Sequence, residues 1–179
     1  TTFKTEAEAI AYPPKMFPKK WLVENYLNAW NAQPFGRYLW NSIVVTVGTT
    51  AGQIISCSLV AYGFARYNFK GKNVLFMILL STMMIPWDVT MIPQYMEFKI
   101  FGWINTLKPL IVPAWFGSAY YIFLMRQFLM GVPKDFEEAA RIDGANAFQI
   151  YWRIFMPIMK PQLILVGVLN MITVWNDYL

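Results

Sequence analysis

Long apolar runs alternate with short polar stretches along most of this chain. A helix needs roughly 20 mostly apolar residues to cross the hydrocarbon layer of a bilayer. Four runs meet or approach this length, at about residues 39–65, 74–96, 110–130 and 162–179. The pattern predicts an all-α, polytopic transmembrane helix bundle over residues 39–179, preceded by a mixed, proline-containing segment at residues 1–38.

The charges between the apolar runs predict an orientation. Arg66, Lys70 and Lys72 share a loop that has no acidic residue, and the positive-inside rule makes that loop cytoplasmic. Residues 1–38 then form an extracytoplasmic segment, although they carry more basic than acidic residues themselves. The chain starts without methionine and stops inside an apolar segment, so we expect it to be a piece of a longer protein.

Composition supports a membrane protein and excludes several kinds of site. The chain is 57% hydrophobic and 14% charged, whereas soluble domains carry about 25% charged residues. The net charge of +5 is spread between apolar runs, and nucleic-acid binding would need a clustered basic face. Histidine is absent and Cys57 is the only cysteine, which excludes internal disulfides, Cys/His zinc sites and His-dependent triads. No paired carboxylates, metal ligands or base-supported nucleophile stand out either, so we predict no catalytic, metal or cofactor site and no enzyme activity.

The polar stretch at residues 131–161 predicts a helical hairpin between two spans. Its first helix starts at Asp135, which can cap it, and ends at Gly144, where a left-handed residue is favoured. A helix of about two turns is marginal in water, so it needs a partner. The small residues Ala139 and Ala140 fit a helix that enters a groove of another protein. The alternative is an ordinary solvated helix-turn-helix.

A second hairpin helix is predicted from about Ala147 to Phe155. Its aromatic residues recur at spacings of three and four, which predicts one apolar face that packs on the bundle or lies at the membrane interface. These residues are Phe148, Tyr151, Trp152 and Phe155.

The hairpin carries a pattern that resembles the EAA loop of ABC importer permeases, E-A-A-x3-G-x9-I-x-L-P. The matching residues are Glu138-Ala139-Ala140, Gly144 and Ile154-x-Met156-Pro157, where Met156 replaces leucine with little change in volume. Further matches resemble the carbohydrate-uptake permeases of the maltose-transporter type, in the same order. They are Asn25-Tyr26, Asn41-Ser42, 61–66, 69–72, 84–86, Ile92-Pro93, Gly102-x-x-Asn105-Thr106, 142–145 and Trp175-Asn176.

The resemblance implies a type I ABC importer permease, whose six spans would include the four found here as the middle ones. The first and last spans of the family are missing. The implied partners are a homologous second permease subunit, two ATP-binding subunits and an extracytoplasmic solute-binding protein, in the plasma (inner) membrane of a prokaryote. ATP and Mg²⁺ are expected on the partner ATPase, because this chain has no phosphate-binding loop.

The resemblance also assigns the cytoplasmic loop at residues 131–161 as the element that couples to the ATPase. Its first helix, at about Asp135–Asp143, would dock in a cleft of the ATP-binding subunit, with a polar contact from Glu138. The residues expected to serve this coupling are Glu137, Glu138, Ala139, Ala140, Arg141, Asp143, Gly144 and Pro157.

The implied function is uptake of sugars or oligosaccharides, with this chain forming half of the translocation pathway. Candidate pathway residues are Tyr120, Asn170, Trp175 and Asn176, because sugar sites combine aromatic faces with amides and hydroxyls; packing is the alternative for each. The rival function is an ion-gradient-driven secondary transporter, a class that places ionisable residues inside its spans. Only Asp88 and Asp177 are candidates for that, and both lie near span ends.

Overall fold

The computed structural model describes residues 2–13 and 16–177, and among these it contains helices and no strand. The predicted all-α class is confirmed. The α-helices are α1 (Glu6–Ala9), α2 (Glu24–Ala32), α3 (Phe35–Arg66), α4 (Lys72–Ser81), α5 (Trp87–Ile100), α6 (Lys108–Ile111), α7 (Ala119–Met130), α8 (Asp135–Ile142), α9 (Ala147–Ile150), α10 (Met156–Ile158) and α11 (Lys160–Trp175). Short 3₁₀ turns occupy Thr82–Met84 and Val112–Phe116, and a π-helical turn occupies Tyr151–Phe155.

Two compact units divide the chain, Thr1–Ser42 and Ile43–Leu179. In the first unit, the Asn25 side-chain amide donates hydrogen bonds to the backbone carbonyls of Thr2 and Lys4, at 2.9 and 3.1 Å. These bonds hold the start of the chain beside α2. The location of this unit outside the cytoplasm stays a prediction.

Helix α3 contributes one face to the core of the second unit. Its buried residues are mostly small, which lets neighbouring segments approach closely. The ring of Trp115 lies so near Gly52 that an added Cβ would come within 2.6 Å of it. The buried residues of α3 are Thr46, Thr49, Gly52, Cys57, Ser58, Ala61 and Tyr62.

The apolar core lies where α3, α7, α11 and the hairpin meet. Side chains from all four are fully or almost fully buried there, so the hairpin shares the core of the bundle. The largest fully buried side chains are Phe155, Met125, Leu129, Ile150, Met159 and Val166.

Within the described residues, α3 is the single straight helix long and apolar enough to cross a membrane. Two other stretches reach that length only if a bent pair counts as one span. The chain bends by 97° between Lys72–Met84 and Trp87–Ile100. It bends by 73° between Ala147–Ile158 and Lys160–Trp175. The predicted run at residues 110–130 is interrupted at Gly117, which has a φ of +82°. The division into four spans stays a prediction, and residues 178–179 of its last run lie outside the described residues.

Candidate functional site

Helix α8 has one buried side and one exposed side. Glu137 and Ala140, three residues apart, are buried, because positions at this spacing share a helix face. Glu138, Ala139 and Arg141 are exposed. Asp135 is the first helical residue and Lys134 occupies the capping position, so the predicted cap by Asp135 is wrong, and no side-chain hydrogen bond caps this end.

An ion pair links two successive turns of α8. The Arg141 guanidinium donates to the Glu137 carboxylate at 2.7 Å, across one helical turn. The hydrogen bond and the charge of Glu137 raise the pKa of Arg141 above its ordinary value. The pair gives the buried carboxylate of Glu137 a charged partner, which reduces the cost of burying it.

The end of α8 is fixed by a left-handed glycine, as the sequence predicts. Gly144 has a φ of +80°. Its N–H donates to the Arg141 carbonyl at 3.1 Å, and the Ala145 N–H donates to the Ala140 carbonyl at 2.9 Å. These two bonds form a Schellman motif, which satisfies the last carbonyls of a helix and turns the chain sharply.

The second half of the hairpin begins with a capping box that the sequence analysis missed. The Asn146 side chain accepts a bond from the Gln149 N–H, and the Gln149 side chain accepts one from the Asn146 N–H, both at 2.9 Å. The spacing Asn146-x-x-Gln149 was a sufficient signal. Helix α9 therefore starts at Ala147, as predicted.

A π-helical turn follows, and it divides the predicted aromatic face in two. Tyr151 and Phe155 are buried in the core, whereas Phe148 and Trp152 are exposed and stack on each other with ring centroids 6.4 Å apart. The prediction that all four residues pack on the bundle as one face is wrong, and its alternative, a position at the membrane interface, stays a prediction. Pro157, which lacks an N–H, follows the turn, and such a residue removes a helical hydrogen bond.

Arg66 joins the hairpin to the two neighbouring helices. Its guanidinium donates to the carbonyls of Leu129 and Val132, each at 2.8 Å, where α7 ends. The same group lies 4.6 Å from the centre of the Phe155 ring. A cation is favoured at a helix C-terminus and over an aromatic face. The sequence analysis used Arg66 as a loop charge and as part of a family match but not as a joint, because its partners are more than 60 residues away.

Buried tyrosines complete the joint between α3 and the hairpin. The hydroxyls of Ser58 and Tyr151 are 2.8 Å apart in the core. The ring of Tyr62 contacts those of Tyr151 and Phe155, with centroids 5.3 and 5.1 Å apart. The hairpin is therefore held to α3 by a hydrogen bond and by aromatic packing.

The open side of α8 presents apolar as well as charged groups. Ile142 is 87% exposed and Phe136 is half exposed, although both are large and apolar. Beside the helix, a cleft of about 270 Å³ is lined by Arg66, Lys134, Glu137, Glu138 and Arg141. Ile142 and Phe136 were not among the predicted coupling residues, and their alternation with acidic residues was the available signal. Exposed apolar residues with a charged border are typical of a protein-binding surface.

The four candidate pathway residues lie in different environments. Asn170 is buried in the contact between α11 and α3, where its amide donates to the Thr50 hydroxyl at 2.9 Å. Asn176 is exposed and donates to the Ile172 carbonyl of its own helix. Tyr120 and Trp175 are about half exposed. A role of these residues in solute passage stays a prediction, as does that of the coupling residues.

The described residues contain no group of three His, Cys, Asp or Glu side chains able to hold a metal ion. What the hairpin offers is a short helix with one exposed side, a helix end set by a left-handed glycine, and contacts that attach it to the core.

Comparisons with known proteins relate the chain to transport systems. A family model described as binding-protein-dependent transport system inner membrane component matches residues 53–179. A probable ABC transporter permease protein of Pyrococcus horikoshii is 40% identical over 87% of this chain and 58% of that protein. A probable starch degradation products transport system permease protein of Thermoanaerobacterium thermosulfurigenes is 33% identical over 99% of this chain and 65% of that protein.

Two further matches cover the chain almost completely. The diacetylchitobiose uptake system permease protein of Streptomyces coelicolor is 29% identical over 100% of this chain and 59% of that protein. A solved structure of a bacterial ABC transporter involved in the import of the acidic polysaccharide alginate matches with a TM-score of 0.87 and 26% identity, over 99% of this chain and 62% of that chain. The chain thus spans 58% to 65% of the length of these relatives.

Proposed function

The chain belongs to the family of binding-protein-dependent transport system inner membrane components, and on this premise we propose that it is part of the permease subunit of an ATP-driven importer. Its role is transport rather than catalysis. It forms half of a translocation pathway in the plasma (inner) membrane of a prokaryote, crosses that membrane several times, and couples to a partner ATPase through residues 131–161.

The single observation that carries this function is the two-sided character of α8. The inner side, through Glu137 and Ala140, is part of the folded core. The outer side is exposed and holds Glu138 and Ala139 of the EAA pattern beside the large apolar side chain of Ile142. A short helix with this division suits a docking element, because it offers a contact surface without losing its attachment.

The contacts of the hairpin with the core allow a displacement of the docked helix to reach the spans. When the partner subunits bind ATP and close, α8 is pulled with them. Arg66, Tyr151 and Phe155 then transmit the displacement to α3 and α7, since these groups hydrogen-bond or pack between the elements. Rigid-body movement of the spans would change the pathway from inward-facing to outward-facing.

The partners in this proposal are a second, homologous permease subunit, two ATP-binding subunits and an extracytoplasmic solute-binding protein, with ATP and Mg²⁺ bound on the ATP-binding subunits. The solute class we propose is a sugar or oligosaccharide. This is supported by the relatives described above, which are named for starch degradation products and diacetylchitobiose.

A charge reversal on the open side of α8 tests the function. The full-length protein would be assembled with its partner subunits in lipid, and ATP hydrolysis stimulated by the solute-binding protein would be measured. We expect Glu138→Lys to lower stimulated hydrolysis about tenfold or more, because reversing a charge at a contact costs several kcal/mol. The matched control, Glu97→Lys, changes another exposed helical glutamate, in α5.

Equal hydrolysis by the two variants and the parent would contradict the coupling role of α8. Solute uptake that continues without ATP and follows an ion gradient would instead favour the secondary transporter.

A further inference from the structure

A second polar cavity lies outside the coupling hairpin, at the turn between α3 and α4. We name it the basic pocket, with a volume of about 420 Å³ and a lining of Asn68, Phe69, Gly71, Lys72, Asn73, Val74 and Arg126. Its two charged residues are both cations. None of these residues takes part in the joint between α3 and the hairpin.

The cations of the basic pocket have neutral partners. The Lys72 ammonium donates to the Tyr67 carbonyl at 2.8 Å. Arg126 donates from Nε to the Phe64 carbonyl at 3.4 Å, and its guanidinium lies 4.1 Å from the centre of the Phe76 ring. Among residues 2–13 and 16–177, no carboxylate lies within ion-pair distance of either cation.

Positive charge accumulates at the pocket, whose lining contains no acidic residue. Arg126 and Lys134 both act on Lys72 by repulsion between like charges. The first turn of α4, which starts at Lys72, has neither an acidic residue nor a side-chain cap. An anion in this pocket would relieve the repulsion and form charge-assisted hydrogen bonds.

An unpartnered apolar surface begins at the same place. Helix α4 has no buried residue, and it starts at the pocket. From Lys72 to Met84 the helical segment has a length of about 20 Å at 1.5 Å per residue, compared with about 15 Å for half of a bilayer core. Its exposed apolar side chains are Val74, Leu75, Met77, Ile78, Met83 and Met84.

We propose that the basic pocket binds the phosphate headgroup of an anionic membrane lipid, with the acyl chains lying along α4. A negative head joined to long apolar tails fits both features, whereas a free anion uses only the pocket. Basic pockets between membrane helices on the cytoplasmic side are suited to such headgroups. The inference goes beyond the proposed transport function and needs only that the chain lies in a membrane.

Lipid binding to the assembled complex tests the proposal. The full-length protein with its partner subunits would be delipidated in detergent and titrated with phosphatidylglycerol, and bound lipid would be counted by native mass spectrometry. Each cation near a membrane surface contributes about fivefold to the affinity for anionic lipid. We therefore expect Lys72→Gln with Arg126→Gln to weaken binding about 25-fold. The control pair, Lys99→Gln with Lys108→Gln, removes the same charge from α5 and α6.

Further control variants and ligands distinguish a bound lipid from other occupants of the pocket. Lys72→Arg and Arg126→Lys keep the charges, so we expect them to retain binding even where the glutamine variants fold poorly. Phosphatidylcholine with the same acyl chains should bind weakly to every variant. Equal phosphatidylglycerol binding by the parent and the double glutamine variant would overturn the proposal. It would also be overturned if inorganic phosphate displaced the lipid at concentrations as low as those of the lipid itself, because the acyl chains would then contribute nothing. The same holds if the pocket were closed by a partner subunit and the parent bound no more lipid than the double variant.

Discussion

The hairpin at residues 131–161 and the segment at residues 72–116, which we name the peripheral arm, differ in how they use their apolar side chains. The hairpin buries Ile150, Tyr151, Phe155 and Met159 in the core. The peripheral arm contains α4, α5 and α6 and buries none of its residues. The more polar of the two segments is thus the more firmly packed.

This difference shows that high hydropathy in a membrane subunit does not indicate burial inside the protein. In lipid, an apolar side chain needs no protein partner, because the surrounding tails are as apolar as a protein core. The apolar arm is therefore compatible with lipid or a neighbouring subunit on most of its surface. If the hairpin lies in water, as the sequence predicts, it keeps its position only through specific contacts, and such contacts are what the proposed coupling role requires.

The largest effect should come from removing an aromatic ring in the hairpin. Phe155 is fully buried and Phe116 in the arm is 81% exposed. We expect Phe155→Ala to lower the free energy of unfolding by about 3–5 kcal/mol, because it leaves a cavity in the core. Phe116→Ala, the same chemical change, should have little effect. Thermal unfolding of the purified complex in detergent measures the stability of both variants. Similar shifts in unfolding temperature would contradict the difference in packing between the hairpin and the peripheral arm.

A smaller loss is expected from breaking the joint at Arg66. Arg66→Gln removes a charge that donates to two carbonyls and lies over Phe155, and hydrogen bonds to charged groups contribute about 1.5–3 kcal/mol. The variant should also lower stimulated ATP hydrolysis. Arg153→Gln removes an exposed cation from the same hairpin and should change neither the free energy of unfolding nor stimulated ATP hydrolysis. If Arg66→Gln altered stability but left coupling intact, the joint would be structural only.

Two glycines offer a nearly matched pair, one in each region. Gly144 and Gly102 both end a helix with a positive φ, of +80° and +66°, and an added Cβ would meet nothing at either site. Alanine at each should cost about 1–2 kcal/mol, because the left-handed conformation is strained for other residues. We expect stimulated ATP hydrolysis to fall only for Gly144→Ala. Parallel stability and hydrolysis measurements make the comparison, and equal losses of activity would speak against a special role of the hairpin.

The smallest effect concerns two amides of α11. Asn170→Ala breaks the partly buried bond to Thr50 and should lower the free energy of unfolding by about 1 kcal/mol. Asn176→Ala removes only an exposed bond within the helix and should be nearly neutral. The Michaelis constant for solute uptake should then change for neither variant if both residues serve packing. A selective rise for Asn176→Ala would assign it to the solute pathway.

Local signals in the sequence were sufficient for much of the hairpin. Asp135 and Gly144 bound α8 because acidic residues favour the start of a helix and a left-handed glycine ends it. The long apolar run between Arg37 and Arg66 likewise predicts most of α3. These features depend on neighbours within a few residues, and the sequence contains them directly.

Apart from the local capping box of Asn146 and Gln149, tertiary contacts decide what the sequence analysis missed. The run at residues 110–130 breaks at Gly117, which has a φ of +82° and lies beside Cys57 of α3. The aromatic face of the hairpin divides because Tyr151 has Ser58 as a partner, 93 residues away. The partners of Arg66 are similarly remote. Periodicity gives no information about such pairs.

Site-specific photo-crosslinking from α8 tests the central claim most directly. A photoreactive residue would be placed at Ala139 on the exposed side of α8, and in a second protein at Met96, which is 60% exposed in the peripheral arm. In the assembled complex, we predict a crosslink to the ATP-binding subunit from position 139 and none to that subunit from position 96. A crosslink to the ATP-binding subunit from the arm, with none from position 139, would contradict the account.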